Sequence, residues 1–184
     1  MRVLQNDAPV AGLTITSAGG QTTDITLTTT GVPEVPPPSG GSGYSIDRRY
    51  YTMDGDAIGG DRFRVGDRFV TVIEVIPHEA IGGRLIIDDP LPAGVEIDNP
   101  SLLRSGDVGA LDWLDTADAT HAEFRSDRFV AAVETSADDT GIVLAYVARA
   151  VSPGEFHHPA ASVEDLSRPT RHARTDSGRL TVSP

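Results

Sequence analysis

The chain has 184 residues, 39% of them hydrophobic, with 19 glycines and 13 prolines. That is length enough for one good core, or one domain and part of another, and the Gly and Pro content suits short strands and turns rather than a helical bundle. A net charge of −12 repels phosphate backbones and anionic lipid surfaces, so neither nucleic acid nor a membrane surface is an expected partner, and solubility is the plain reading of the acidity.

Two residue types are missing. Without cysteine the chain has no disulfide, thiolate metal site, thiol nucleophile or cysteine-derived thioester of its own. Without lysine, all 15 basic residues being arginine, it has no Schiff-base chemistry and no Lys–Asn isopeptide crosslink. The start, Met1 to Asp7, turns polar at once and carries no apolar core of a signal peptide. No stretch approaches the ~20 apolar residues of a membrane span. The expectation is either a cytoplasmic chain or a piece of a longer exported protein, with no membrane insertion by this segment.

In chain order, Leu13–Thr16 and Ile25–Thr28 alternate apolar and polar residues around a Gly19-Gly20 turn, and Thr occurs eight times between residues 14 and 30. Two strands cannot bury a face alone, so this piece must dock on something. Residues 33–43 run Pro-Glu-Val-Pro-Pro-Pro-Ser-Gly-Gly-Ser-Gly. Composition favours a linker, extended at Pro36–Pro38 and flexible in its Gly/Ser tail, over a Pro-rich ligand. This stretch is the clearest boundary, dividing the chain into residues 1–35 and a sandwich domain over 36–184.

Beyond the linker, strands are expected at Tyr44–Tyr51, Phe69–Val75 ending at Pro77, and Arg84–Ile87. Asp54-Gly55 is a turn signal. Asp88 to Ile97 reads as a strand entering a proline-fixed corner. Ala122–Arg125 and Arg128–Val133 pair through Ser126-Asp127; Gly141–Val151 is a central strand; Ser162–Asp165 and Gly178–Val182 come last. Gly109–Leu114 reads as a short helical insertion. The fold class is all-β, an antiparallel β-sandwich of immunoglobulin or fibronectin type.

The chemistry-bearing residues do not assemble into a catalytic set. Asp54, Asp56 and Asp61 lack the spacing of a calcium loop, since Ile58 and Val65 stand where ligands belong. Asp88 and Asp89 point to opposite faces of a strand, so one carboxylate capping turn amides beside Pro90 is the simpler reading. His157-His158 diverge and have no third ligand at metal spacing, which favours a surface or half-buried turn pair. Gly40-Gly41-Ser42-Gly43 lacks the strand–helix elbow of a serine nucleophile. No catalytic residue, cofactor or metal is expected.

Seven segments in order carry a resemblance. They are Ser45–Gly55, Val65–Arg68, Asp89–Pro100, Gly109–Leu114, Glu123–Ala132, Tyr146–Gly154 and Pro159–Asp165. Together they resemble the C-terminal end of bacterial alpha-2-macroglobulins. The resemblance implies a macroglobulin-like β-sandwich, non-catalytic, in a periplasmic and lipid-anchored parent that traps proteases. Its partners would be other domains of the same chain, above all the thioester domain, and target proteases through the full-length protein. Many members shield the thioester with a Met-Tyr pair just before Arg-Pro. That position falls on Leu166-Ser167, ahead of Arg168-Pro169. Leu166 keeps an apolar plug, but Ser167 lacks the aromatic ring. The interface candidates are therefore Leu166, Ser167, Arg168 and Pro169, within the surface Val163–Pro169, and the strand Arg48, Arg49, Tyr50 and Tyr51. Solvated arginines at 48, 49 and 168, with one core and one rim tyrosine, are an equally open reading of those residues. A stand-alone adhesion or binding sandwich module is the alternative function.

Overall fold

The computed structural model describes residue 24, residues 33–98, residue 117 and residues 119–184. The chain divides into two compact units, Met1–Glu34 and Val35–Pro184, and the architecture below is that of the second. The strands expected at Leu13–Thr16 and Ile25–Thr28 and the helical insertion at Gly109–Leu114 lie outside the described residues.

Alternation of small or polar with β-branched and aromatic residues produces strands throughout. In order they are β1 (Gly40–Ser42), β2 (Tyr44–Thr52), β3 (Ala57–Ile58), β4 (Arg62–Arg64), β5 (Arg68–Pro77), β6 (Gly83–Pro90) and β7 (Val95–Ile97). They continue as β8 (His121–Phe124), β9 (Arg128–Thr135), β10 (Ile142–Ala150), β11 (Gly154–His158), β12 (Ser162–Asp165), β13 (His172–Arg174) and β14 (Gly178–Ser183). Among the described residues there is no helix, and so none long and apolar enough to cross a membrane.

A six-stranded sheet runs β1-β13-β12-β6-β9-β8 and a five-stranded sheet runs β3-β2-β5-β10-β7. A smaller sheet, β11-β14-β4, contains a parallel strand pair, β14 with β4. Ile73, Val75 and Leu144 from the five-stranded sheet and Leu85, Ile87, Ala131 and Val163 from the six-stranded sheet are buried in one cluster. The Phe129 and Tyr146 rings stack across it at 4.9 Å. Burying each large aliphatic side chain contributes on the order of 1.5–3 kcal/mol, so this all-β sandwich rests mainly on alternate positions of β5, β6, β9 and β10. Thr52–Asp56 closes the β2–β3 hairpin, with Gly55 at φ 93°. β8 and β9 form the expected second hairpin.

Two segments differ from expectation in ways that shape the packing. Strand β6 runs on through Asp88, Asp89 and Pro90 before the corner begins. The corner is then stapled from behind: the amide of Leu91 donates to the carbonyl of Asp127, and that of Val151 to the carbonyl of Gly94. A Cβ on Gly94 would sit 2.1 Å from the Phe156 ring. The Gly/Ser tail expected to be flexible is instead an ordered edge strand. Gly40, Gly41 and Ser42 pair with Arg174, Ala173 and His172, and the Ser39 amide donates to Asp176 at 2.8 Å. Its glycines permit this. A Cβ on Gly41 would lie 2.0 Å from the His172 carbonyl oxygen, while Gly40 and Gly43 take φ of 127° and 83°.

Because the obstacle at Gly41 is backbone, Gly41→Val should detach β1. The expected cost is about 1 kcal/mol, held to the low end of overpacking by the small size of the strand. Fast amide exchange at residues 40–42 with β12 still protected would show it; unchanged exchange and an unchanged urea midpoint would contradict it.

Candidate functional site

The turn from β12 to β13 carries the candidates Leu166, Ser167, Arg168 and Pro169. Its anchor is Asp165, the last residue of β12 and fully buried. One carboxylate oxygen accepts the amides of Ser167 and Arg168 at 2.9 and 3.2 Å. The other accepts Arg168 Nε at 2.8 Å and the Tyr44 hydroxyl at 3.3 Å. Burial works against this carboxylate, but the Ser167 amide and Arg168 outweigh it and hold its pKa below the ordinary value. The Arg168 guanidinium also bonds the Gly82 carbonyl, so Arg168 is a structural tie rather than a solvated charge. The Leu166 amide donates to the Arg84 carbonyl at 2.8 Å, yet its side chain is 52% exposed. Ser167 and Pro169 are exposed beside it.

The second candidate set splits by strand geometry. Arg48 and Tyr50 turn into the sandwich, while Arg49 and Tyr51 turn out. Arg48 Nη1 meets Asp89 at 2.6 Å, with the two side chains 8% and 1% exposed. Its Nη2 donates to the Pro159 carbonyl at 3.0 Å. The Tyr146 hydroxyl gives the other Asp89 oxygen a 2.7 Å bond. Burial pushes the Asp89 carboxyl above its ordinary pKa, while Arg48 and the Tyr146 hydroxyl pull it back. Asp89 therefore does not cap turn amides; the continuation of β6 aims it across the core instead. Arg49 remains on the surface with Asp47 and Glu74 at 2.8 and 3.5 Å. Tyr51 packs on Val70, Val72 and Val147 on the outer face of the five-stranded sheet.

The histidine pair lies on β11, not in a turn. His158 is buried and shares a 3.0 Å hydrogen bond with the Tyr50 hydroxyl; His157 is exposed. Burial, with the nearby charge of Arg48 and then His157, lowers the His158 pKa to about 3, so the ring is neutral. Asp88 pairs with Arg128 at 3.3 Å. Among the described residues no cluster of three His or acidic side chains could hold a metal ion. Sequence reasoning weighed Asp89 and His158 only in local roles and passed over Tyr146. The usable signal was position: Arg48, Asp89 and Tyr146 each sit in phase with the inward apolar residues of their strands.

A family model for the bacterial alpha-2-macroglobulin MG10 domain matches residues 43–170, from just before β2 through the Asp165 turn. The chain belongs to this family. It is 30% identical over 173 residues to alpha-2-macroglobulin of Escherichia coli K12, covering 89% of this chain and 10% of that protein. It is 32% identical over 147 residues to alpha-2-macroglobulin of Xylella fastidiosa Temecula1, covering 76% and 9%. This MG10-family chain thus spans about a tenth of the length of these curated relatives. Among solved structures, native E. coli alpha-2-macroglobulin from domain MG7 to the C-terminus matches with TM-score 0.72 and 31% identity over 84% of this chain and 25% of that one. Salmonella alpha-2-macroglobulin reacted with methylamine matches with TM-score 0.71 and 32% identity over 84% and 10%. The sandwich is therefore the macroglobulin-like domain that the sequence resembles.

Two measurements check the polar geometry. Asp89→Asn leaves Arg48 charged and buried and should cost about 3–5 kcal/mol in urea unfolding, most of it recovered in Arg48→Met/Asp89→Leu. A single-mutant cost under about 1 kcal/mol contradicts the buried pair. His158 has a folded pKa of about 3 against an ordinary 6.5. Its contribution is complete above pH 6.5 and is lost as pH falls toward 3, by at most about 1.4 kcal/mol per pH unit. His158→Gln should flatten the decline of the urea midpoint between pH 7 and 4.5; an equally steep decline contradicts the assignment.

Proposed function

We propose that this chain is the non-catalytic C-terminal part of a periplasmic, lipid-anchored protease-trapping alpha-2-macroglobulin, and that it packs against and shields the thioester domain of its parent. Residues 1–35 are then the last strands of a preceding CUB-like segment. Parent domains are its direct partners, and proteases meet it only through the whole molecule.

The observation that carries the reading is Leu166, a large apolar side chain 52% exposed at the tip of a turn that is itself fastened to the core. Exposed leucines need no explanation singly, but this one stands at the position where the family resemblance places a shielding pair. Ser167 beside it offers little apolar area, so Leu166 supplies most of the plug. Arg168 and Pro169 set the exit of the turn. Arg49 and Tyr51 form the outward half of a second contact; Arg48 and Tyr50 serve the interior. Relatives support the wider role. The E. coli protein has been solved activated by trypsin and by porcine elastase, and the Salmonella protein after reaction with methylamine.

In the parent protein, Leu166→Asp should raise methylamine incorporation at least tenfold, and Ser167→Tyr should lower it. Two unchanged rates, or no incorporation at all, contradict the shielding role.

A further inference from the structure

A turn that only connects β12 to β13 does not call for a buried carboxylate. Removing Asp165 from water is unfavourable unless its oxygens are matched, and here four donors match them: the Tyr44 hydroxyl, the Ser167 and Arg168 amides and Arg168 Nε. The ties continue around the turn. The Asp165 amide donates to the Arg171 carbonyl at 3.1 Å and the Arg171 amide to the Arg168 carbonyl at 2.8 Å. Arg168 reaches the Gly82 carbonyl on the neighbouring loop. The backbone beneath Leu166 is thus held from both sides, while its side chain stays in water. That arrangement differs from ordinary surface packing, where the apolar group is buried and the polar ones are solvated.

We propose that Asp165 is a positioning residue for domain docking: it fixes the Leu166 turn in its docked geometry before contact, so that the neighbouring domain of the same parent chain meets a pre-ordered apolar tip. The proposal rests on the reading of Leu166 as the docking side chain. Ordering a flexible loop on binding weakens affinity, and a pre-formed loop avoids that loss. The negative charge matters as well as the shape. Asn at 165 keeps one acceptor for the turn amides, but its NH2 group then stands where one oxygen accepted both Arg168 Nε and the Tyr44 hydroxyl, and it cannot accept from the guanidinium.

The test uses the full-length parent and hydrogen exchange read in peptides of the neighbouring domain, which a defect confined to this sandwich does not move. Leu166→Asp and Asp165→Asn should each speed exchange there at least tenfold, with Asp165→Asn still unfolding cooperatively. Arg168→Gln cuts the same tie from the half-exposed side and decides the matter if Asp165→Asn does not fold. Faster exchange in Leu166→Asp alone overturns the positioning role and leaves the docking reading standing. No change in any variant overturns both. Faster exchange in Asp165→Asn without Leu166→Asp overturns the presentation of Leu166.

Discussion

The inner face of β2 (Tyr44–Thr52) is the seam on which this sandwich depends. Three of its inward side chains are polar, and each crosses to a different strand. Tyr44 bonds Asp165 on β12, Arg48 pairs with Asp89 on β6, and Tyr50 bonds His158 on β11. Apolar contact alone would hold the two main sheets together with loose register, because hydrophobic attraction is not directional. Buried polar pairs add direction. Each is favourable only at one alignment, since a slip leaves a charge or hydroxyl unmatched in the core. The Arg48–Asp89–Tyr146 group therefore acts more as a specifier of how the sheets face each other than as a source of net stability.

The same seam connects core to surface. Asp165 accepts Tyr44 from the opposite sheet and the amides of the turn that follows its own strand. A disturbance of β2 is thereby felt at the turn that carries Leu166. In the proposed parent this matters, because a domain that shields a neighbour must keep its contact tip rigid until the whole molecule rearranges. Gly82, just before β6, and Arg84 within it join in, their carbonyls accepting from Arg168 and Leu166.

Legibility of these features in the sequence follows the range of the interactions. The long strands, the Asp54-Gly55 hairpin and the Ser126-Asp127 hairpin were readable because periodicity and turn chemistry are local. β1, β4, β7 and β13 were not, for they have three residues each and are stabilised by the neighbours they pair with. Gly40–Ser42 misled most, since glycine reads as flexibility when no partner is known, whereas here the missing Cβ admits the His172 carbonyl. At the site, the Leu166 turn was named as a candidate through resemblance. Its support at Asp165 was not, for although the Ser167 and Arg168 donors are local, the carboxylate is buried against a Tyr44 hydroxyl that lies 121 residues away. The core role of Asp89 was hidden for the same reason: its partners Arg48 and Tyr146 lie 41 and 57 residues off, so the Asp88-Asp89 pair offered only a carboxylate for local turn amides.

The central claim is that the Leu166 tip is a contact made in advance for another domain. A native structure of the full-length parent by cryo-electron microscopy tests it most directly. The account predicts Leu166 buried against the thioester domain, with the Asp165 turn in the conformation described here. Leu166 facing solvent, with the turn clear of any neighbouring domain, would contradict it.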